Sequence, residues 1–488
     1  MNHLNDILTT VLKAISNFVW GGEGLTGLLI SIVPILLLTG LVLTLRTLFI
    51  QIRGFSHGVA ITSGKYDDPA MEGQLTHFQA LAAALSATIG IGNIAGVALA
   101  IYWGGPGAIF WMWVSAFFGM AIKYSECTLA IRFRKVEPSG NIRGGPMYYI
   151  EMGMHRYFKP LAYLFAFCTA IAAFGSGNMA QSNTLAHALV DSFGVSPAAE
   201  GLVRWGIGIF VACMVGIVII GGIKRIGRVA SVLVPFMSVV YCLSALIILL
   251  IQYDQVLPAL GMIFHHAFSP TAVVGGSASG VTIWLTISWG LRRGLFSNEA
   301  GQGSAPMAHS TAKVDEPVRE GLVAMLGPFI DTIVICSMTA LVILTSGLWK
   351  SGETGVALTM AAFESALPIY GRWMVVVGVL LFAYSTVLSW SYYGEKGIEY
   401  LFGPKAKMPY KWIFIVFTLL GARLDLEAVW SYADTANGMM AIPNLIALIV
   451  LSGTVVGLTK KYMREKAEGK QLPYSELKKL KEAGMSKY

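Results

Sequence analysis

Gly90, Gly92 and Asn93 lie close together in the segment SATIGIGNIA, residues 86–95, which is otherwise apolar enough to cross a membrane. Because a helix in lipid must satisfy its own backbone, this cluster predicts a helix break at which glycine permits non-helical backbone angles. A break frees N–H groups from Gly90 to Asn93, which suit an anionic carboxylate, and leaves carbonyls over residues 86–89, which suit a cation. The alternative is close packing of small residues between helices.

Ser385 and Thr386 place two hydroxyl groups side by side in the apolar segment FAYSTVLSWSYYGE. Hydroxyl and carbonyl oxygens are hard ligands for small cations. We therefore predict that both hydroxyls complete a cation site with the carbonyls of Ser86 and Ile89. The alternative is that each hydroxyl bonds the carbonyl one turn earlier in its own helix.

Asn178 and Gln181 lie three residues apart in GSGNMAQSNT and share one face of a predicted helix. An amide can donate to a carboxylate or accept from an ammonium group. The alternative is hydrogen bonding between helices, worth about 0.6 to 2 kcal/mol.

Ionisable residues inside apolar segments are costly in lipid and mark functional sites by default. Lys123 and Glu126 have the spacing of a structural ion pair within one helix. Asp331 is the best candidate for coupling or gating, and a structural carboxylate held by partners is the alternative.

These residues belong to a chain of 488 residues that is 55% hydrophobic and 13% charged, with a mean hydropathy of +0.65. Eleven segments of about 20 apolar residues are long enough to span a bilayer. The segments cover residues 27–49, 78–103, 106–131, 160–189, 203–221, 228–251, 279–300, 321–346, 372–395, 411–430 and 433–459. The composition predicts an all-α integral membrane protein.

The 35 Lys and Arg residues concentrate in alternate loops and in the tail 460–488, which places the C-terminus in the cytoplasm. With eleven spans, the N-terminus is then predicted outside. The basic tail is expected to meet anionic lipids at the inner face. An apolar stripe in residues 1–26 predicts an amphipathic helix on the outer surface, with a helix packed on the bundle as the alternative.

Ten spans remain when the first span and its inner loop, residues 27–75, are set aside, and they form two sets of five over 76–252 and 278–459. Because an odd number of spans reverses direction, the halves are predicted to be inverted repeats. Each half opens with a glycine-interrupted span, at 86–96 and 288–306. This predicts discontinuous first and sixth core helices and a site at mid-membrane.

Four polar side chains of the second interrupted segment lie near the predicted inner face: Arg292, Arg293, Glu299 and Gln302. We expect them to form an inner gate.

Several function classes lack their motifs in this sequence. The sequence lacks the GxxxxGK[ST] loop that would indicate nucleotide hydrolysis. It also lacks a recognisable nucleophile with a base and an orienting partner, the arrangement that would indicate an enzyme. The basic residues mark membrane orientation, so no nucleic acid partner is predicted. The five cysteines lie within spans without a CxxC motif, and His265 and His266 lack further ligands, so we predict neither disulfides nor a metal site among them. No cofactor is predicted.

Three strings resemble the marked blocks of the alanine or glycine:cation symporters, also called sodium:alanine symporters. They are GGPGAIFWMWVSAFFG, ATIGIGNIAG and GLRRGLFSNEAGQGSAP, and the resemblance covers about residues 20–460. It implies the five-plus-five inverted-repeat fold of the amino acid, polyamine and organocation superfamily, with one extra N-terminal helix. It also implies an inner-membrane carrier that couples sodium or protons to uptake of small neutral amino acids such as alanine or glycine by alternating access.

The resemblance also implies roles for individual residues. The string GIGN is similar to the GLGN of neurotransmitter:sodium symporters, whose first core helix is unwound. This implies that the backbone of Ile91 and Gly92, beside Gly90, holds the substrate carboxylate and that Asn93 lies beside substrate or cation. Ser385 and Thr386 match a pair of sodium-binding hydroxyls.

Within the closer family, Gln181, Thr386 and Trp390 resemble pocket residues. The sequence shows no conspicuous pocket carboxylate, which favours neutral substrates over cationic ones. No protein partner is required by this interpretation. The alternatives are a passive amino-acid or ion channel and a membrane-embedded enzyme.

Overall fold

The computed structural model describes residues 14–21, 27, 31–138, 140–269 and 282–482, and the side chains of 479–482 are not described. Helices form nearly all of its regular structure. In chain order they are α1 (residues 14–20), α2 (Ile32–Arg46), α3 (Ile50–Arg53), α4 (Phe55–Ala60), α5 (His77–Thr88), α6 (Ala95–Gly104), α7 (Ala108–Arg132), α8 (Pro146–Gly153), α9 (Lys159–Phe174), α10 (Ala180–Ser192), α11 (Pro197–Ile219), α12 (Gly222–Ile251), α13 (Tyr253–Ala267), α14 (Ile283–Asn298), α15 (Ala305–His309), α16 (Pro317–Ala324), α17 (Leu326–Pro328), α18 (Ser337–Thr345), α19 (Gly355–Ala366), α20 (Tyr370–Phe402), α21 (Lys407–Gly421), α22 (Leu426–Ala467) and α23 (Tyr474–Glu482).

Short elements join these helices. Strands β1 (Lys135–Val136) and β2 (Ile142–Arg143) form a small antiparallel hairpin. Single 3₁₀ turns cover Ile91–Asn93, Arg156–Phe158, Leu348–Lys350 and Pro404–Ala406, and π-helical turns cover Ile61–Lys65, Gly175–Met179 and Phe329–Cys336.

Seven helical stretches among the described residues are long and apolar enough to cross a membrane. They are Ala108–Arg132, Arg156–Ser192, Pro197–Ile219, Gly222–Ile251, Pro317–Thr345, Tyr370–Phe402 and Leu426–Ala467. The other four predicted spans correspond to α2, α14 and α21, of 15, 16 and 15 residues, and to the pair α5 and α6. The predicted all-α membrane architecture is confirmed, with four spans shorter than a straight membrane helix.

The first core helix is broken, as the sequence predicts. A capping box at Thr76 and Gln79 begins α5, in which Thr76 Oγ1 accepts from Gln79 N at 3.2 Å. The helix ends at Thr88, and α6 resumes at Ala95 after the 3₁₀ turn. The prediction that the break needs the backbone freedom of glycine is wrong at Gly90. This residue is extended (φ −140°, ψ −157°), a conformation open to any residue.

The sixth core helix breaks where α14 ends. Glu299 follows it in the left-handed region at φ 55°, and Gly301 and Gly303 have φ of 91° and 79° before α15 begins. A left-handed conformation costs a non-glycine residue about 1–2 kcal/mol. The two glycines adopt positive φ without that cost, so glycine acts here through its backbone freedom.

The surrounding helices enclose both breaks. Helix α14 packs on α6 and α7, helix α5 packs on α12 and α20, and α9 packs on α20 and α22. The π-helical turn Gly175–Met179 packs against α22, and Phe329–Cys336 contacts the 3₁₀ turn of the first break. Irregular backbone at this depth is therefore surrounded by protein, as a membrane protein requires.

Helix α1 packs on the bundle, in agreement with the alternative to a surface helix. Trp20 is buried and its Nε1 donates to the Asp434 carbonyl at 3.0 Å, although Phe18 on the same helix is exposed. The rest of the predicted amphipathic segment, residues 1–13 and 22–26, lies outside the described residues. Helix α13 lies between the two predicted repeats and packs on α7 and α18.

Candidate functional site

A small cavity lies beside the first helix break. Its described lining comprises Ala87, Thr88, Gly90, Gly92, Ser176, Gln181, Phe296, Glu299, Thr386, Trp390 and Asn437. Five predicted binding residues are therefore together: Gly90, Gly92, Gln181, Thr386 and Trp390. The others, which are Ile91, Asn93, Ser86, Ile89 and Ser385, are buried behind this lining.

Gly90 and Gly92 bring the broken backbone close to the rest of the cavity wall. A Cβ added at Gly90 would lie 2.5 Å from Thr386 Oγ1 and 3.2 Å from Gln181 Oε1. One added at Gly92 would lie 3.1 Å from a ring carbon of Phe296. These glycines are needed for close approach.

Two of the N–H groups predicted to be free at the first break donate to side-chain oxygens in the structure. Ile91 N donates to Gln181 Oε1 at 3.2 Å, and Gly90 N donates to Asn93 Oδ1 at 2.9 Å. Gln181 is oriented in turn, because its Nε2 donates to the Ser176 carbonyl at 2.9 Å. An amide oxygen thus occupies, at the cavity wall, the type of position that a carboxylate oxygen would take.

Asn93 faces away from the cavity. Its Nδ2 donates to Asp331 Oδ1 at 2.7 Å and to the Asp331 carbonyl at 3.2 Å. Asp331 also accepts from Ser297 Oγ and Thr332 Oγ1, each at 2.7 Å. The carboxylate is therefore held by neutral donors from both breaks and from its own helix, in agreement with a partnered, positioning role.

Three of the four predicted cation oxygens, the Ile89 carbonyl and the two hydroxyls of α20, come together between α5 and α20. Thr386 Oγ1 and Ser385 Oγ lie 3.3 and 3.5 Å from the Ile89 carbonyl oxygen. Ser385 Oγ also donates to the Phe382 carbonyl at 2.9 Å, which is the predicted alternative of bonding within its own helix. Ser86 meets α20 through its hydroxyl, which donates to the Ser385 carbonyl at 2.7 Å.

Glu299 is the residue that sequence reasoning missed at this site. It is 2% exposed and lines the cavity, which corrects the expectation that the pocket has no carboxylate. Its Oε1 accepts from Trp390 Nε1 at 2.7 Å and its Oε2 accepts from Ser304 Oγ at 2.5 Å. The signal in the sequence was that Glu299 lies inside the second interrupted segment. Because two arginines lie in the same segment, Glu299 was assigned to a gate instead of the pocket.

The structure divides the four residues of the predicted gate into two groups, Arg292 with Arg293 and Glu299 with Gln302, and a gating role stays a prediction. Arg292 and Arg293 both donate to Asp434 Oδ2, at 2.6 Å for Arg292, and Arg293 and Asp434 are buried. Glu299 lies at the helix break, and Gln302 Nε2 donates to the Leu295 carbonyl at 3.0 Å.

The arginine pair contacts α1 and the aromatic side chains beside the cavity. Arg292 Nη2 donates to Ser16 Oγ at 2.8 Å, and its guanidinium lies 4.9 Å from the Trp289 ring. The Arg293 guanidinium lies 5.0 Å from the ring of Trp430, which stacks on Phe296 of the cavity wall.

A second buried cluster closes the opposite ends of the broken helices. His77 begins α5 and His309 ends α15, and both ring Nδ1 atoms contact the Glu320 carboxylate, at 2.6 Å for His309. Arg134 donates to the carbonyls of Ala312 and Val314, each at 2.6 Å. His77 is 243 residues from Glu320 and Arg134 is 178 residues from Ala312, so their types and spacing gave no signal.

Two other predicted pairs have a different outcome. Asn178 Nδ2 donates to the Phe414 carbonyl at 2.7 Å, which is the predicted bond between helices. The predicted Lys123 and Glu126 ion pair does not form. Glu126 Oε1 instead accepts from Asn444 Nδ2 at 2.6 Å and from Gly301 N at 3.1 Å, because packing brings α22 and the second break against it.

Comparison with known proteins agrees with this architecture. The model of the sodium:alanine symporter family matches residues 5–476. The sodium/alanine symporter AgcS of Methanococcus maripaludis is 48% identical, over 93% of this chain and 97% of that relative. The probable sodium/glutamine symporter GlnT of Bacillus subtilis is 34% identical, over 90% of this chain and 89% of that relative.

A solved structure shares the fold. The crystal structure of MhsT in complex with L-phenylalanine aligns with a TM-score of 0.56 at 16% sequence identity, over 79% of this chain and 89% of that one. The family match covers nearly the whole chain and a relative has almost half of its residues identical. This protein therefore belongs to the sodium:alanine symporter family, whose members are transporters rather than enzymes.

Proposed function

We propose that this protein is a sodium-coupled symporter that carries small neutral amino acids, alanine or glycine, into the cell. The observation that carries the proposal is the cavity at the first helix break, lined by Gly90, Gln181, Thr386 and Trp390 next to a group of hard oxygen ligands. The names of relatives, a sodium/alanine symporter and a probable sodium/glutamine symporter, support sodium coupling and an amino-acid substrate.

The substrate carboxylate would bind at the broken backbone. Ile91 N–H is oriented towards the cavity wall and is satisfied by Gln181 Oε1 at 3.2 Å. A carboxylate oxygen is a stronger acceptor than a neutral amide oxygen because it is charged. Gly90, Ile91, Gly92 and Gln181 form the carboxylate end of the site in this proposal.

The size of the cavity favours a small side chain. Its walls lie close together, since a Cβ added at Gly90 would lie 2.5 Å from Thr386 Oγ1 and one added at Gly92 would lie 3.1 Å from a ring carbon of Phe296. Phe296 and Trp390 present aromatic surface to it, and Thr386 approaches Gly90 from α20. Alanine and glycine fit such a site better than glutamine or phenylalanine does.

Sodium would bind between α5 and α20. The hydroxyls of Ser385 and Thr386 each lie within 3.5 Å of the Ile89 carbonyl oxygen, and the preceding half-helix ends there with its partial negative charge. Ser86 completes this group from the same half-helix. Thr386 touches both the cavity and this oxygen cluster, so occupancy of the two sites would be coupled through it.

Alternating access requires a barrier on each side of the site. In this proposal the buried Arg293 and Asp434 pair forms one barrier. The cluster of His77, Glu320 and His309, at the helix ends remote from the breaks, forms the other. A passive channel needs a continuous open path, and two buried ionic clusters favour a carrier over it. The membrane proposed is the cell inner membrane, with the N-terminus outside and the basic tail against anionic lipid.

Uptake of labelled alanine into proteoliposomes tests the proposal. We expect saturable uptake that accumulates alanine when sodium is higher outside, and loss of accumulation when a sodium ionophore removes the gradient. Glycine should compete, and glutamine should compete weakly. Uptake that is independent of both sodium and proton gradients, or flux that never saturates, would contradict the proposal and favour a passive pore.

A further inference from the structure

We propose that Glu299 binds the ammonium group of the transported amino acid and selects substrates that carry one. The inference rests on the proposed function and deepens it. Of the described residues that line the cavity, Glu299 is the only ionisable one, and it is 2% exposed. A zwitterion that enters this cavity meets one carboxyl group.

The backbone directs this carboxylate into the cavity at the second helix break. Helix α14 ends at Asn298, and Glu299 adopts a left-handed conformation at φ 55°. Only four non-glycine residues in the described chain have positive φ, and Glu299 is the only one of them that lines the cavity. Strained backbone of this kind persists where the surrounding structure holds it, often at ligand sites.

The hydrogen-bond partners of Glu299 orient it and are neutral, and the charge of Lys123 acts on it only through space. Trp390 Nε1 and Ser304 Oγ are both neutral donors, and each binds a different carboxylate oxygen. A carboxylate has about four acceptor positions, so each oxygen retains capacity for a further donor. A buried carboxylate with only neutral hydrogen-bond donors is stabilised when a cation arrives, because burial penalises an uncompensated charge.

The cavity therefore has two chemically distinct ends. Backbone N–H groups at the first break lie at the Gln181 wall, and the acceptor oxygens of Glu299 lie at the Trp390 wall. An amino acid presents an acceptor group and a donor group from a single carbon atom, and this arrangement matches both. A 2-hydroxy acid of the same size has the carboxylate that suits the backbone N–H groups but lacks the ammonium group that suits Glu299. The site should therefore discriminate between alanine and lactate.

The test measures how well L-alanine and L-lactate each inhibit sodium-driven uptake of labelled alanine by the full-length protein in proteoliposomes. In the wild type, alanine should inhibit at a concentration about 30-fold or more below that needed for lactate, because a buried charge pair is lost with the hydroxy acid. In Glu299→Gln, this preference should fall about tenfold or more, mainly because alanine binds less tightly.

The control is Ser304→Ala, which removes a neutral donor from Glu299 Oε2 but retains the carboxylate. It should keep the preference for alanine over lactate within a few-fold of the wild type. Equal weakening of both ligands in Glu299→Gln would overturn the inference and assign Glu299 a structural role, and so would an unchanged preference.

Two further outcomes are assigned in advance. If Glu299→Gln does not fold, as judged by gel filtration in detergent, Glu299→Asp replaces it. The shorter carboxylate should still prefer alanine to lactate, and loss of that preference in a folded, sodium-dependent Glu299→Asp would overturn the inference. A wild type that takes up alanine with sodium but binds lactate equally well overturns the inference alone, whereas a wild type without sodium-dependent uptake overturns the proposed function.

Discussion

Asn93 Nδ2 donates a hydrogen bond of 2.7 Å to Asp331 Oδ1. This bond joins the break in the first core helix to the π-helical turn Phe329–Cys336. Asn93 also accepts from Gly90 N, and its carbonyl accepts from Thr339 Oγ1 at 2.7 Å. Asp331 accepts from Ser297 at the end of α14. One amide and one carboxylate thus hold both broken helices in a fixed relation.

Replacement of Asn93 by alanine should weaken alanine binding although the side chain does not line the cavity. The variant removes the side-chain partner of Gly90 N and of Asp331 Oδ1, while Ser297 and Thr332 still donate to Asp331 Oδ2. The expected loss is about 1–3 kcal/mol. The measurement is the alanine concentration for half-maximal uptake at saturating sodium. Asn178→Ala is the matched control, because it removes a buried amide bonded to Phe414 on another helix. Equal affinity in Asn93→Ala and the wild type would exclude the positioning role.

Loss of the hydroxyls on α20 should raise the sodium requirement. Ser385→Ala removes an oxygen from the proposed sodium site without touching the cavity, and Thr386→Ala removes one that the two sites share. A hydrogen-bonding oxygen contributes on the order of 1 kcal/mol, so the sodium concentration for half-maximal uptake should rise about fivefold in each variant.

A serine on the same helix controls for the loss of a hydroxyl. Ser391 Oγ donates to the Leu388 carbonyl at 2.6 Å, away from both proposed sites, so Ser391→Ala should leave the sodium dependence unchanged. Only Thr386→Ala should also raise the alanine concentration required. If the sodium concentration for half-maximal uptake stays at the wild-type value in both Ser385→Ala and Thr386→Ala, the cation binds elsewhere.

Gly90→Ala should abolish uptake, because the added methyl group would lie 2.5 Å from Thr386 Oγ1 and enter the cavity. Gly96→Ala is its control on the adjoining half-helix, where the nearest atom to the added Cβ is 3.9 Å away. Alanine is favoured over glycine in a helix interior by about 0.5–1 kcal/mol, so the control should transport and be slightly more stable. Normal uptake by Gly90→Ala would show that the substrate binds away from the break.

Asp434→Asn should destabilise the protein strongly. It removes the carboxylate that pairs with Arg292 and buried Arg293, and breaking a buried ion pair costs about 3–5 kcal/mol. The free energy of unfolding in detergent measures the effect. Glu364→Gln breaks a pair with Arg372 whose side chains are 36% and 31% exposed, and it should change stability by less than about 1 kcal/mol. Similar losses in both variants would contradict this account of the arginine pair.

The sequence by itself determined the membrane class, the positions of both helix breaks and the hydroxyl pair of α20. Hydropathy is a property of each segment and breaks require local residue types, so both can be identified without a structure. The hydroxyls at Ser385 and Thr386 were also assigned a partner correctly, since they lie near the Ile89 carbonyl.

Only the tertiary structure decided which polar groups meet. Arg293 and Asp434 are 141 residues apart and Trp390 and Glu299 are 91 apart, so no periodicity relates them. Lys123 and Glu126 have the spacing of an ion pair, yet packing of α22 gives Glu126 a different partner. A buried polar group must be satisfied by whichever neighbour the packing of helices supplies. That requirement placed a carboxylate in the cavity where the sequence indicated none.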